Sequence, residues 1–149
     1  MIKFENVTKK YEDFTALENF DLEIKKGCAY GLLGTNGAGK STLLRILSGV
    51  YRADKGKVTI GGEDVYDNPS AKQKLLLISD ETSQFNGMTL LQMKKFYKTF
   101  YRNFSDEMFD KLNAIVNLPV NKKLSGFSKG MKRQAAVICG IAARTDYLF

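Results

Sequence analysis

Histidine is absent from this 149-residue chain, and cysteine occurs only twice. Cys28 and Cys139 stand far apart, without C-x-x-C spacing, and no imidazole is present to complete a zinc site with them. Both lie in apolar surroundings and are expected to be reduced core thiols. No apolar run approaches the ~20 residues of a membrane-spanning helix, and the start at Met1-Ile2-Lys3-Phe4-Glu5 lacks the apolar region of a secretory signal. The expectation is a soluble chain on the cytosolic side. Low-complexity tracts are also missing, and a hydrophobic content of 44% suffices for one sizeable core, so one domain is the default. The formal net charge is +7, but the lysines are scattered rather than gathered in a block. That charge fits a solvated basic surface as well as it fits nucleic acid, an acidic membrane or polyphosphate.

What is present is concentrated in Gly34-Thr35-Asn36-Gly37-Ala38-Gly39-Lys40-Ser41-Thr42, which meets the template G-x-x-x-x-G-K-[ST] at every fixed position. Its flanks have the required order. Cys28 to Leu33 is a short apolar run suited to a buried strand, and Thr42 to Val50 places apolar residues at helical spacing. A triphosphate has to be wrapped by backbone N–H groups, and Gly34, Gly37 and Gly39 permit that close approach. Lys40 is expected at the β- and γ-phosphates, the Ser41 hydroxyl on Mg²⁺, and Thr42 as a second hydroxyl nearby. The positive end of a helix starting near Gly39 favours the anion. ATP and Mg²⁺ are therefore the expected ligands.

Along the rest of the chain, Met1 to Thr8 and Phe20 to Ile24 alternate as strands, with Tyr11 to Leu17 between them and a basic turn at Lys25-Lys26-Gly27. A loop around Gly56 leads to a short strand at Val58-Thr59-Ile60, and Gly61-Gly62 turns the chain again. Leu75 to Ile78 is a second fully apolar run of strand length. From Thr89 the period changes, with Leu90, Leu91, Met93, Phe96, Tyr97, Phe100 and Tyr101 at helical spacing, a row more typical of core than of a binding site. Asp106 to Val116 forms another amphipathic helix capped by Ser105, and Pro119 ends the segment. Ser128 suits the N-cap of a third helix running to about Ala143, with Ala136, Val137, Gly140 and Ile141 on its apolar face. Asp146-Tyr147-Leu148-Phe149 begins one more apolar run.

The glycine loop, taken with Phe127-Ser128-Lys129-Gly130-Met131 at a helix start, resembles the ATP-binding subunit of an ABC transporter over the whole chain. In that family a signature commonly written LSGGQ opens a helix after a helical subdomain. Ser128 and Gly130 match its Ser and second Gly, while Phe127, Lys129 and Met131 replace Leu, Gly and Gln, a variant similar to those of bacterial ABC-2 type multidrug and antibiotic exporters. The resemblance implies an α/β P-loop ATPase fold: a β-rich and P-loop core over residues 1–87, an α-helical subdomain over 88–145, and the start of a further core strand at 146–149. It also implies that Ser128, Lys129, Gly130 and Met131 serve the ATP of a second subunit, in a homo- or heterodimer attached to a membrane permease at the cytoplasmic face of the plasma membrane. Tyr11 matches the aromatic that stacks on adenine. Asp80 stands where the family has its Q-loop glutamine, as an alternative metal-side oxygen. The family's Walker B aspartate, the glutamate after it and the switch histidine are expected beyond Phe149, so this stretch is expected to bind ATP without turning it over.

Other P-loop classes fit less well. A DNA-associated ABC ATPase would carry a long coiled coil between loop and signature, and no sustained heptads separate Lys40 from Ser128. Nucleic acid is therefore not an expected partner. A GTPase would carry N-K-x-D, which does not occur. A small-molecule kinase shares the P-loop alone, and a partial gene product without function is the remaining alternative.

Overall fold

In the computed structural model, which describes residues 1–79 and 83–149, the chain forms two units, Met1–Leu77 with Phe149 and Ile78–Leu148. The first unit is built on a hairpin. Strand β1 (Ile2–Tyr11) and strand β2 (Phe14–Ile24) run antiparallel, with Tyr11 opposite Phe14 at the turn. Ile2 and Phe4 point inward, after which simple alternation would bury Asn6. The pairing instead shifts register between Phe4 and Val7, Asn6 takes a φ of 50°, and its N–H donates to Asp21 Oδ1 at 2.8 Å. This bulge changes the phase and keeps Val7 in the core.

Strand β3 (Lys55–Ile60) lies on the other side of β1, and strand β4 (Glu63–Asp64) pairs with its end after the Gly61-Gly62 turn. The sheet order is β2-β1-β3-β4, antiparallel throughout. Helix α1 (Lys40–Leu47) packs on β2 and buries Leu43, Ile46 and Leu47. Helix α2 (Pro69–Gln73) is one short turn fixed by Asn68, whose Oδ1 accepts from the Ser70 and Ala71 N–H groups. Strand β5 covers only Leu75–Leu76 of the expected Leu75–Ile78, and the Phe149 N–H donates to the Leu76 carbonyl at 2.9 Å.

One expectation fails here. Residues 28–33 form no strand, and Cys28, Tyr30, Leu32 and Leu33 are exposed rather than buried. A strand exists through its ladder, and among the described residues no strand pairs with this segment. Apolar composition without a neighbour leaves it extended and wet.

The second unit holds helices α3 (Leu90–Phe100), α4 (Asp106–Val116) and α5 (Lys129–Ala142), followed by strand β6 (Tyr147–Leu148). Thr89 and Gln92 form a reciprocal capping box at α3, and Ser105 caps α4, accepting from the Met108 N–H at 3.1 Å. Asp106 and Glu107 favour the positive end of α4, and Asn117 closes it in the left-handed conformation ahead of Pro119. Lys94 joins α3 to α4. Burial opposes its charge, but hydrogen bonds to Asp110 and Asp106 outweigh that and hold its pKa above the usual lysine value. Its ammonium also sits 4.5 Å from the Phe109 ring centroid.

The α3 aromatics divide, with Tyr97 buried and Phe96 and Phe100 exposed. The buried face of α5 also differs from expectation. Ala135, Ala136, Ile138, Cys139, Gly140 and Ala142 face the core, whereas Val137 and Ile141 are each 39% exposed. Gly140 packs closely on Ile78 and Leu148, while Val137 and Ile141 line an open groove with Leu112, Ile115 and Val116 of α4, so packing and not hydrophobicity alone sets the rotation of the helix. Among the described residues, no helix is long and apolar enough to cross a membrane.

Candidate functional site

The glycine loop enters α1 through Gly39, whose φ of 80° is left-handed and whose O accepts the Leu43 N–H at 2.9 Å. A Cβ at Gly39 would stand 2.4 Å from the Ala16 carbonyl oxygen, so the loop rests on the backbone of β2 where no side chain fits. Gly37 is also left-handed, at φ 86°, but a Cβ there would meet nothing within 4 Å. One glycine thus serves contact with the scaffold, and the other leaves the concave side open. Between them the Ala38 N–H closes a turn on the Thr35 carbonyl at 3.2 Å, while Thr35 and Asn36 are exposed.

Lys40 reaches back over this loop. Its Nζ donates to the Gly34 and Thr35 carbonyls, both at 2.7 Å. An ammonium has three donors, so one remains for an anion brought into the loop. No acidic residue stands in the first turn of α1 to compete, and the helix end adds its own partial positive charge. Ser41 is exposed on that first turn, and Thr42 is half-buried beneath it.

Tyr11 comes to the same place from the end of β1. Its hydroxyl lies 3.4 Å from Thr42 Oγ1, the residue is 37% exposed, and Lys9 Nζ stands 5.7 Å from the ring centroid. The structure therefore brings Tyr11 together with Lys40, Ser41 and Thr42 within one unit. It also adds a residue that sequence reasoning missed. Tyr51 meets the Tyr11 ring edge-on at 6.2 Å, and Arg45 of α1 lies 5.5 Å over the Tyr51 ring with Nη1 3.4 Å from its hydroxyl. No sequence pattern marks this pair, because Arg45 and Tyr51 meet only where the chain folds back after α1.

In the second unit Ser128 is the N-cap of α5, and its Oγ accepts the Met131 N–H at 3.2 Å. Ser128, Lys129 and Gly130 are exposed around that helix start, with Met131 half-buried. Lys132 is anchored on Asn86 Oδ1 at 2.8 Å. Asp80 lies outside the described residues. Among the described residues, no group of three or more His, Cys, Asp or Glu side chains could hold a metal ion, so Ser41 stands as a single oxygen that could join a metal shell completed by phosphates and water.

The chain is similar to relatives of three kinds. The linearmycin resistance ATP-binding protein LnrL of Bacillus subtilis is 29% identical over 154 residues, covering 99% of this chain and 50% of its own length. The Fe(3+) ions import ATP-binding protein FbpC of Brucella abortus is 40% identical over 91 residues, covering 61% of this chain and 26% of its own. Among solved structures, the dimeric ATP-binding cassette MJ0796 bound to ADP and Pi superimposes with a TM-score of 0.79 at 25% identity, over 99% of this chain and 72% of that one. The chain spans 31% to 69% of the length of the curated relatives that it matches nearly end to end. The family model described as ABC transporter matches residues 17–149, from the strand under the glycine loop through the Ser128 helix, and on that match the chain belongs to the ABC transporter family, with the P-loop ATPase fold.

Proposed function

We propose that this chain is the nucleotide-binding part of the ATP-binding subunit of an ABC exporter. The observation that carries the reading is the meeting of Lys40, Ser41, Thr42 and Tyr11 at the start of α1, which offers a phosphate cradle and an aromatic face for the base in one unit. ATP would lie with its phosphates on the loop from Gly34 to Gly39 and its adenine on Tyr11, while Ser41 contributes an oxygen to Mg²⁺. Export rather than import rests on the Phe127-Ser128-Lys129-Gly130-Met131 variant and on the linearmycin resistance relative. The iron-import relative keeps the opposite direction as the alternative.

In the complete transporter subunit, the exposed start of α5 would face the ATP of a second subunit, and a membrane permease would carry the substrate. Ser128 already caps its helix, so the same hydroxyl and the N–H groups beside it would close over a γ-phosphate only when two subunits meet. The dimeric MJ0796 cassette supports that arrangement. Hydrolysis of ATP, with reopening of the dimer, is the proposed activity of the full subunit.

Isothermal titration of the chain tests the nucleotide reading. Lys40→Ala is expected to weaken ATP roughly 10- to 100-fold, the worth of a charge-assisted hydrogen bond. Tyr11→Ala is expected to remove ~1–3 kcal/mol from ATP binding, the usual value of one base on one ring, and nearly nothing from inorganic triphosphate. Unchanged ATP affinity in Lys40→Ala would overturn the phosphate cradle, and equal losses for both ligands would remove Tyr11 from the base site.

A further inference from the structure

A second concavity lies in the first unit, beside the nucleotide loop but not lined by it. It is an open cleft of about 830 Å³ between the end of α1, the loop after it, and β3 with β4. That volume falls in the ordinary range for small-molecule sites, ~300–1,000 Å³. The floor is apolar and buried, made by Ile46, Val58 and Val65. Tyr51 and Tyr66 also line it, so it offers flat apolar surface as well as depth.

Its charge is net positive, with three cations against Asp54 and Asp64. Arg52, Lys55 and Lys57 line the cleft and are exposed. Arg52 is positioned by its own stacking, 5.6 Å over the Tyr66 ring. Lys55 and Lys57 are alternate residues of β3, on the stretch that β4 does not reach, and among the described residues neither ammonium has a hydrogen-bond or ion-pair partner. Of the two carboxylates in the lining, Asp54 is held by a cation and Asp64 by a backbone N–H. Asp54 accepts from Lys9 Nζ at 2.8 Å and from the Lys10 N–H at 2.7 Å, and that hydrogen bonding holds its pKa below the usual carboxylate value. Asp64 Oδ1 accepts the Tyr66 N–H at 3.0 Å.

A merely solvated basic face needs neither a buried apolar floor nor tyrosine walls. We propose that this cleft binds an organic anion with a flat apolar body, its phosphate, sulfonate or carboxylate head on Arg52, Lys55 and Lys57 and its body over Ile46, Val58 and Val65 between the two tyrosines. Such a ligand is distinct from the nucleotide, because Lys40, Ser41, Thr42 and Tyr11 do not line the cleft, and Tyr51 is the wall that borders both it and the Tyr11 ring.

The test uses 1-naphthyl phosphate as probe, titrated into the 149-residue chain and followed by amide chemical shifts. Saturable binding is expected, centred on residues 51–58 and 64–66, and it should persist in Lys40→Ala. Inorganic phosphate, which lacks the body, and 1-naphthol, which lacks the charge, should each bind at least about 10-fold more weakly. Lys55→Glu with Lys57→Glu should reduce affinity at least about 10-fold through lost charge-assisted contacts, and Tyr66→Ala should weaken it through lost ring contact. Should the double variant fold poorly, Lys57→Gln carries the same test with a smaller charge change. Binding that disappears in Lys40→Ala, binding that inorganic phosphate reproduces, binding indifferent to Lys57, or no saturable binding at all would each overturn the cleft as a site.

Discussion

Gly39 is constrained twice, by a φ of 80° and by the Ala16 carbonyl oxygen 2.4 Å from where a Cβ would sit. Gly37 shares the left-handed conformation but not the crowding. Replacing each by alanine separates the two effects. Gly37→Ala meets only the left-handed penalty of ~1–2 kcal/mol, whereas Gly39→Ala must also push α1 off β2. A melt of each variant should therefore rank Gly39→Ala below Gly37→Ala in midpoint, with nucleotide binding lost in the former; equal melts would mean that the contact with β2 does not hold the loop. The cysteines differ as sharply, and here the sequence misled for one of them. Cys139 is a core thiol whose pKa burial pushes up to about 12, while Cys28 is exposed because its segment found no ladder. A raised thiol pKa means that the folded state keeps a proton the unfolded chain loses. The Cys139 contribution to stability is thus complete below the ordinary value of 9.0 and drains away as pH climbs toward about 12. Titration with a thiol-specific disulfide reagent at neutral pH should modify one cysteine, Cys28, with the second reacting only on unfolding. Two fast thiols would contradict the burial of Cys139.

Helix starts were legible because capping is local chemistry. Ser105 before Asp106 and Ser128 before Lys129 are where the sequence placed them, each hydroxyl accepting an N–H three residues on. The Met131 amide should exchange its hydrogen faster in Ser128→Ala, with about 1 kcal/mol lost from the helix start. Ser128→Asp should restore protection, since a carboxylate caps equally well; unaltered exchange in Ser128→Ala would show that the cap bond is not made in solution. What lay beyond local chemistry was less readable. The rotation of α5 follows from the close fit of Gly140 on Ile78 and Leu148, which leaves Val137 and Ile141 in the open groove beside α4 despite their hydrophobicity. Strand β4, at Glu63–Asp64, is too short to show a period, and helix α2 is signalled only by Asn68 before Pro69. Further register shifts between Val7 and Lys10 break the alternation of β1 beyond Thr8, which is why Tyr11 read as loop rather than as the end of that strand.

On the scale of the whole molecule, the segment leading into the nucleotide loop sets the chain's behaviour in solution. Leu33 is 92% exposed, and Tyr30 and Leu32 are exposed beside it. Apolar surface left in water is unfavourable by ~25 cal/mol per Å², and contiguous patches of it mark places where another surface docks or where chains aggregate. An extended segment with unpaired backbone compounds this, because its N–H and C=O groups are a template for a second strand. The isolated 149-residue chain is therefore expected to self-associate as its concentration rises, through residues 28–33. Leu33→Ser removes the most exposed apolar side chain without touching Lys40, Ser41 or Tyr11, and it should shift the sedimentation-velocity distribution toward monomer. The backbone edge remains in that variant, so association should be weakened and not abolished. A distribution identical to that of the unaltered chain would place the sticking surface elsewhere, with the exposed Ile115 of α4 and Val137 and Ile141 of α5 as the next apolar surface to alter.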